Sequence, residues 1–108
     1  MPAGDPIAVV AWLKGVRARA RRRARLWRLA ARNRSTAAAC FYCGAAFTPS
    51  GARQRTVDHR VPTSLGGSQR LSNLVFACRS CNQRKGQLPE DEFTASEWLA
   101  RRRLDVQR

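Results

Sequence analysis

The chain contains few histidine, methionine and acidic residues, and this composition limits the classes of protein to which it can belong. Its 108 residues include one His, one Met and seven Asp or Glu, against 21 Lys and Arg. No stretch approaches the roughly 20 apolar residues of a membrane helix, so we expect no membrane association. The apolar residues 6–13 form a short stretch that positive charge follows instead of preceding, unlike a signal peptide. We therefore expect a reducing, cytoplasmic environment, in a bacterium or a phage-infected host cell.

The surplus of positive charge predicts a nucleic-acid partner, and it is unevenly distributed. The net charge is +14. Residues 1–39 hold ten basic residues and one acid, net +9, and residues 40–89 hold seven and one, net +6. Residues 90–108 hold four basic residues and five acids, net −1. We expect the first two segments to hold DNA, in double-stranded form, and the third to have no part in holding phosphates.

The N-terminal segment has the pattern of a long helix. Asp5 followed by Pro6 is typical of a helix start, because aspartate caps free amides and proline suits the first helical position. Apolar residues then recur at steps of three or four from Val9, which predicts a helix over residues 6–33. Its arginines would contact phosphates without sequence specificity, although binding of a partner protein or a merely solvated face stays open. The arginines that we expect to contact phosphates are Arg21, Arg22 and Arg25.

Four cysteines stand in two Cys-x-x-Cys pairs, with 34 residues between the pairs. This spacing is typical of a structural Zn²⁺ site closed by four thiolates, and a small domain gains much from such an added constraint. Two disulfides in a secreted domain are the alternative, which the lack of a signal-peptide pattern disfavours. The predicted zinc ligands are Cys40, Cys43, Cys78 and Cys81.

One Asp-His dipeptide lies between the two cysteine pairs. Asp58 is the only acid between Cys40 and Pro89, and His59 is the only histidine of the chain. A carboxylate can bind a divalent cation and an imidazole can act as a base near neutral pH, so the pair indicates a reaction centre. A lone histidine is otherwise more often a core residue or a stray zinc ligand.

The secondary structure around this dipeptide follows from turn residues and apolar spacing. A capping box of Thr94 and Glu97 predicts the start of a last helix. The predicted strands are residues 55–60 and 71–77, the predicted loop is 62–68, and the predicted helices are 82–87 and 95–104.

The motif T-V-D-H-R-V-P-T-S-L-G-G, followed by L-S-N-L-V-F-A-C-R-S-C-N-Q-R-K-G, resembles the HNH nuclease motif in its zinc-stapled form. The resemblance implies an α+β fold with a small ββα-metal core, also called a His-Me finger, stapled by the four cysteines. It suggests a nuclease domain at residues 40–89, preceded by a basic helical arm at 1–39 and followed by a short C-terminal helix at 90–108.

The resemblance also assigns roles to single residues. His59 matches the general base that activates water, and Asp58 matches the neighbouring metal ligand. Asn73 matches the asparagine that braces the loop between the strands. Asn82 stands where the family has its last histidine, which gives an H-N-N pattern. Its amide oxygen would suit Mg²⁺ or Mn²⁺, with Ni²⁺ as a further candidate.

The function implied is metal-dependent endonucleolytic cleavage of DNA. Arg84 and Lys85 would contact phosphates near the scissile bond, and Arg60 would face either solvent or phosphate. The alternative is a zinc-stapled module that binds nucleic acid without cleaving it. Small members of the family often occur in bacteriophages near DNA-packaging genes, which suggests terminase proteins as partners; restriction and mobile-element transfer are the other settings.

Overall fold

The computed structural model describes residues 5–32 and 38–108. Helices and short turns surround one small antiparallel hairpin, so the α+β class expected from the sequence is confirmed. The elements are α1 (Pro6–Ala31), β1 (Arg55–His59), β2 (Leu74–Cys78), α2 (Arg79–Lys85), α3 (Glu90–Thr94) and α4 (Glu97–Gln107).

Strands β1 and β2 pair along their whole length, from Arg55 opposite Cys78 to His59 opposite Leu74. Both predicted strands exist, but the second begins three residues later than expected. Residues 71–73 form a single 3₁₀ turn, in which the amide of Asn73 donates to the carbonyl of Arg70 at 2.9 Å. The hairpin therefore places the cysteines at one end and the Asp-His pair toward the other.

The two faces of β2 contact different helices, because successive side chains of a strand point to opposite sides. Leu74 and Phe76 pack against α1, where the ring centroid of Trp27 lies 5.1 Å from that of Phe76. Val75 and Ala77 face the other way, into the core around the cysteines. A five-residue strand with no exposed side chain results, so the hairpin is held from both sides.

Helix α1 begins as predicted. Asp5 caps it, with Oδ1 accepting from the amide of Ile7 at 3.0 Å, and the helix continues without a break through Gly15 to Ala31. Residue 33, the expected end, lies outside the described residues. At about 1.5 Å per residue the 26-residue helix is about 39 Å long. The residues of α1 that pack against the hairpin belong to its last turns, so the earlier turns extend away from the domain.

No helix among residues 5–32 and 38–108 is both long enough and apolar enough to cross a membrane.

The C-terminal segment differs from the sequence-based expectation in two ways. Helix α3 was not expected, and it takes up Thr94, whose hydroxyl donates to the carbonyl of Asp91 at 3.1 Å. Thr94 therefore does not cap the last helix. Ser96 does, with Oγ accepting from the amide of Leu99 at 3.3 Å. Buried Phe93 and Leu99 join α3 and α4 to the core around the cysteines.

Helix α2 also differs from its prediction. It begins at Arg79, three residues before the expected start, and ends at Lys85. The second cysteine pair therefore spans the end of β2 and the first turn of α2. This places Cys81 and Asn82 side by side on one helix that packs against the hairpin.

Candidate active site

The structure brings three of the predicted site residues together in one cleft of about 160 Å³. Strand β1 supplies Asp58 and His59, and α2 supplies Asn82. The other residues that line the cleft are Val57, Pro62, Thr63, Gly86 and Gln87. A carboxylate, an imidazole and a carboxamide thus share one small, solvent-open space.

Asp58 is buried and one of its two oxygens is fully engaged. The hydroxyl of Tyr42 donates to Oδ2 at 2.5 Å, and Nζ of Lys85 lies 3.3 Å from the same oxygen. No donor among the described residues binds Oδ1, and Asp58 lines the cleft. The pKa of the Asp58 carboxyl lies above its ordinary value. Burial raises this pKa by more than the bond from Tyr42 and the charge of Lys85 lower it.

Tyr42 is suited to this donor role. Burial first, and then the neighbouring charge of Asp58, raise the pKa of its hydroxyl far above the ordinary value. The hydroxyl consequently keeps its proton and donates to the carboxylate. Nothing in the sequence singled out Tyr42 as a site residue, because 16 positions separate it from Asp58 and only folding joins them.

His59 is half-buried at the end of β1. Its Nε2 lies 2.7 Å from Oε1 of Gln69, which comes from the loop between the strands. Its main-chain carbonyl accepts from Nζ of Lys85 at 2.8 Å. The ring is thus held by a side chain and its backbone by a helix. Gln69 is a second contact that the sequence did not indicate.

Asn82 is oriented by the strand opposite. Its Nδ2 donates to Oγ1 of Thr56 at 3.0 Å and to the carbonyl of Val57 at 3.2 Å. These bonds fix which end of the carboxamide is the oxygen, and no described donor binds Oδ1. The oxygens of Asp58 and Asn82 are hard ligands of the kind that Mg²⁺ and Mn²⁺ prefer, so the residues present fit a divalent cation.

Asn73 lies outside the cleft and closes the loop behind it. Its Oδ1 accepts from the amide of Val61 at 2.8 Å, and its Nδ2 donates to the carbonyls of Val61 at 3.0 Å and Ser68 at 2.8 Å. The loop is so tight that a Cβ on Gly67 would lie 1.7 Å from the carbonyl oxygen of Val61. Only glycine fits there.

The four cysteines form a separate cluster in the core. Their sulfur atoms all lie within 4.8 Å of one another, which fits a single tetrahedral metal ion. All four side chains are buried, and the sulfurs of Cys43 and Cys78 are 3.8 Å apart. Nη2 of Arg102, on α4, lies 4.0 Å from the sulfur of Cys78. The C-terminal segment therefore contributes to the surroundings of this cluster.

The structure places Lys85, one of the residues assigned to phosphate binding, away from the protein surface. Its side chain is fully buried in its pair with Asp58, so its ammonium does not face solvent. Arg60 is also engaged, with Nε 2.6 Å from Oε2 of Glu90, and this bond raises the pKa of its guanidinium.

The other predicted phosphate contacts are accessible. Arg84 is exposed, and its guanidinium carbon lies 5.9 Å from the ring centroid of Trp98. The α1 arginines Arg21, Arg22 and Arg25 are exposed as well. These four guanidinium groups are accessible to a polyanion, whereas the ammonium of Lys85 is not.

Comparison with known proteins agrees with this arrangement. Residues 40–97 match the family model described as HNH endonuclease, so the chain belongs to the HNH endonuclease family. It is also similar to the CRISPR-associated endonuclease Cas9 of Corynebacterium diphtheriae, with 41% identity over 68 residues. That match covers 62% of this chain but only 6% of Cas9.

Proposed function

We propose that this chain is a metal-dependent endonuclease that hydrolyses phosphodiester bonds of DNA. The observation that supports it most directly is the cleft that Asp58, His59 and Asn82 share, in which each of the two ligand candidates has one oxygen that no described donor binds. Membership of the HNH endonuclease family supports the same reaction. The relative in Corynebacterium diphtheriae is itself named an endonuclease.

In this proposal His59 is the general base. Neutral imidazole takes a proton from a water molecule, whose oxygen attacks the phosphorus while the bond to the leaving 3′ oxygen breaks, and that oxygen takes a proton from solvent water. The products are a 5′-phosphate and a 3′-hydroxyl. Gln69 holds the ring, and the loop closed by Asn73 fixes where the base stands. A divalent cation bound to Asp58 and Asn82 would offset negative charge on the phosphate and the leaving oxygen.

We propose further that the cysteine cluster holds a structural Zn²⁺. Four thiolates complete a tetrahedral shell and leave no position for water or substrate, so this ion would take no part in hydrolysis. Its role would be to fix the end of β2 against α2. Because α2 also supplies Asn82, the zinc would set the distance between the two sides of the cleft.

The exposed arginines of α1 would supply affinity for double-stranded DNA. Arg21, Arg22 and Arg25 lie on the exposed surface of the helix, and every proposed catalytic residue lies beyond Cys40. Contacts of this kind recognise phosphates and carry no sequence information. Partnership with phage packaging proteins rests on the family resemblance alone.

A plasmid-nicking assay with Mg²⁺, Mn²⁺, Ni²⁺ and Zn²⁺ tests the proposal. We expect cleavage by the wild type and a loss of about 10²–10⁴-fold in rate for His59→Ala, as is typical when a general base is removed. DNA affinity and zinc content of the variant should stay unchanged. Full activity of His59→Ala would refute the assignment of the base. DNA binding without cleavage in every metal would make the chain a binding module.

A further inference from the structure

The proposed cation site contains little negative charge. Asp58 is the only acid among the residues that line the cleft, and no other acid lies between Cys40 and Pro89. A divalent cation therefore meets a single carboxylate. A lone carboxylate is at the low end of what proteins use to hold Mg²⁺, which commonly shares its shell with substrate phosphates.

Even this single charge is already paired. The ammonium of Lys85 lies 3.3 Å from Oδ2 of Asp58, and both side chains are almost completely shielded from solvent, with 0% and 6% exposed. Because the pair is buried, water and salt screen it far less than they would at the surface. To an approaching cation, the Asp58–Lys85 pair therefore presents a net charge near zero.

The second contact of Lys85 couples this charge to the rest of the site. Nζ also donates to the main-chain carbonyl of His59 at 2.8 Å. One ammonium on α2 therefore holds both the proposed ligand and the proposed base on β1. Oδ2 of Asp58 is occupied by Lys85 and Tyr42, whereas no donor among the described residues binds Oδ1.

We propose that Lys85 makes cation binding depend on substrate: by neutralising Asp58, it keeps the affinity for a free divalent cation low until a nucleic-acid phosphate adds the missing negative charge. Lys85 is thus a positioning residue that acts through Asp58, and the inference rests on the proposed function. It predicts that the cleft takes up cation and phosphate together.

The test is Mn²⁺ binding, followed by electron paramagnetic resonance of the free ion, in the zinc-loaded protein without nucleic acid. Lys85→Met should bind Mn²⁺ about tenfold or more tightly than the wild type, because one buried positive charge beside the ligand is removed. Lys85→Gln, which also removes the positive charge but keeps an N–H donor, should show the same gain. This second variant keeps the test decisive if Lys85→Met does not fold. Lys14→Met, which removes the chain's other, exposed lysine, should bind like the wild type.

Two further arms locate the bound ion. Asp58→Asn combined with Lys85→Met should abolish the gain, since the extra Mn²⁺ would sit on Asp58. In the His59→Ala background, a short DNA duplex should raise the Asp58-dependent Mn²⁺ affinity of the protein with Lys85 intact, and raise it less when Lys85 is Met or Gln.

Equal Mn²⁺ affinity for the wild type, Lys85→Met and Lys85→Gln would overturn the inference, even if the variants melt earlier, because Lys85 would then be only a structural contact. That outcome leaves the nuclease proposal standing. If instead no variant binds Mn²⁺ in an Asp58-dependent way, with or without DNA, the cation site itself is wrong. Cleavage by His59→Ala in the same samples would separately refute the proposed base.

Discussion

The two ends of the β1–β2 hairpin carry two sites of opposite design. At one end, four identical sulfur donors meet within 4.8 Å in the buried core. At the other, one carboxylate, one carboxamide and one imidazole line an open cleft. The first site supplies every ligand that a tetrahedral ion needs, and the second leaves most positions free. This difference is the one expected between a closed structural site and an open catalytic one, the roles that we propose for the two sites.

The positive side chain beside each site sharpens the contrast. Four thiolates around Zn²⁺ would carry a net charge of about −2, which Arg102 at the edge of the cluster compensates only in part. Asp58 carries one charge, which buried Lys85 balances fully. The closed site should thus hold its ion permanently, and the open site should hold one only with substrate. Each of the following experiments tests one side of this comparison.

The largest effect is expected at the closed end. Cys78→Ser, or removal of zinc by a chelator, should unfold residues 40–108. Zinc binding by four thiolates is worth on the order of 10–16 kcal/mol, as much as the whole stability of a small domain. Near-ultraviolet circular dichroism and zinc analysis measure the outcome, with His59→Ala as the folded control. A native spectrum for metal-free protein would show that the core folds without the ion.

The buried pair at the open end should show a strong double-mutant coupling. Asp58→Asn or Lys85→Met alone should cost about 3–5 kcal/mol of unfolding free energy, because each leaves a buried charge without its partner. The double variant should recover more than half of that loss. Denaturant unfolding of the four zinc-loaded proteins gives the cycle. Strictly additive losses would mean that the two groups do not interact as the geometry indicates.

Asn82 should affect the open site without affecting the closed one. Asn82→Ala is expected to raise the Mn²⁺ concentration for half-maximal cleavage about tenfold, equivalent to about 1.4 kcal/mol. Asn82→His should move the preference toward Ni²⁺ or Co²⁺, because it replaces an oxygen ligand by nitrogen. Zinc content should not change. Gln83→Ala, an exposed carboxamide on the same helix, is the control, and identical metal profiles for all variants would exclude Asn82 as a ligand.

The smallest effect concerns Arg102. Burial acts to lower the pKa of its guanidinium, but the neighbouring Cys43 and Cys78, the latter 4.0 Å from Nη2, outweigh this and raise it. Arg102→Met should speed the transfer of zinc to a chelator by up to about tenfold, as for other groups that support metal ligands. Arg101→Met, whose side chain is 78% exposed, should release zinc at the wild-type rate. Equal rates for both variants would show that Arg102 does not stabilise the thiolates.

Much of the architecture was accessible from local patterns. The start of α1 followed from Asp5 and Pro6, and the paired cysteines predicted a cluster that the fold assembles. The strand containing Asp58 was predicted within one residue of its end. Element boundaries were less predictable where two local signals compete. Thr94 and Ser96 are both good caps, and only the end of α3 decides that Ser96 takes that role.

The sequence by itself determined the family, the cysteine cluster and which residues could do chemistry, because these depend on residue type and spacing along the chain. Only the tertiary structure determined which charged groups are buried and with which partners they pair. Lys85 looked like one more phosphate contact beside Arg84, yet folding turns it inward to Asp58, 27 positions away, while Tyr42 reaches the same oxygen from the first cysteine pair. Burial is a property of the packed core and cannot be read from one residue's neighbours. Because Lys85 is buried, its ammonium pairs with Asp58, the only acid among the residues that line the cleft.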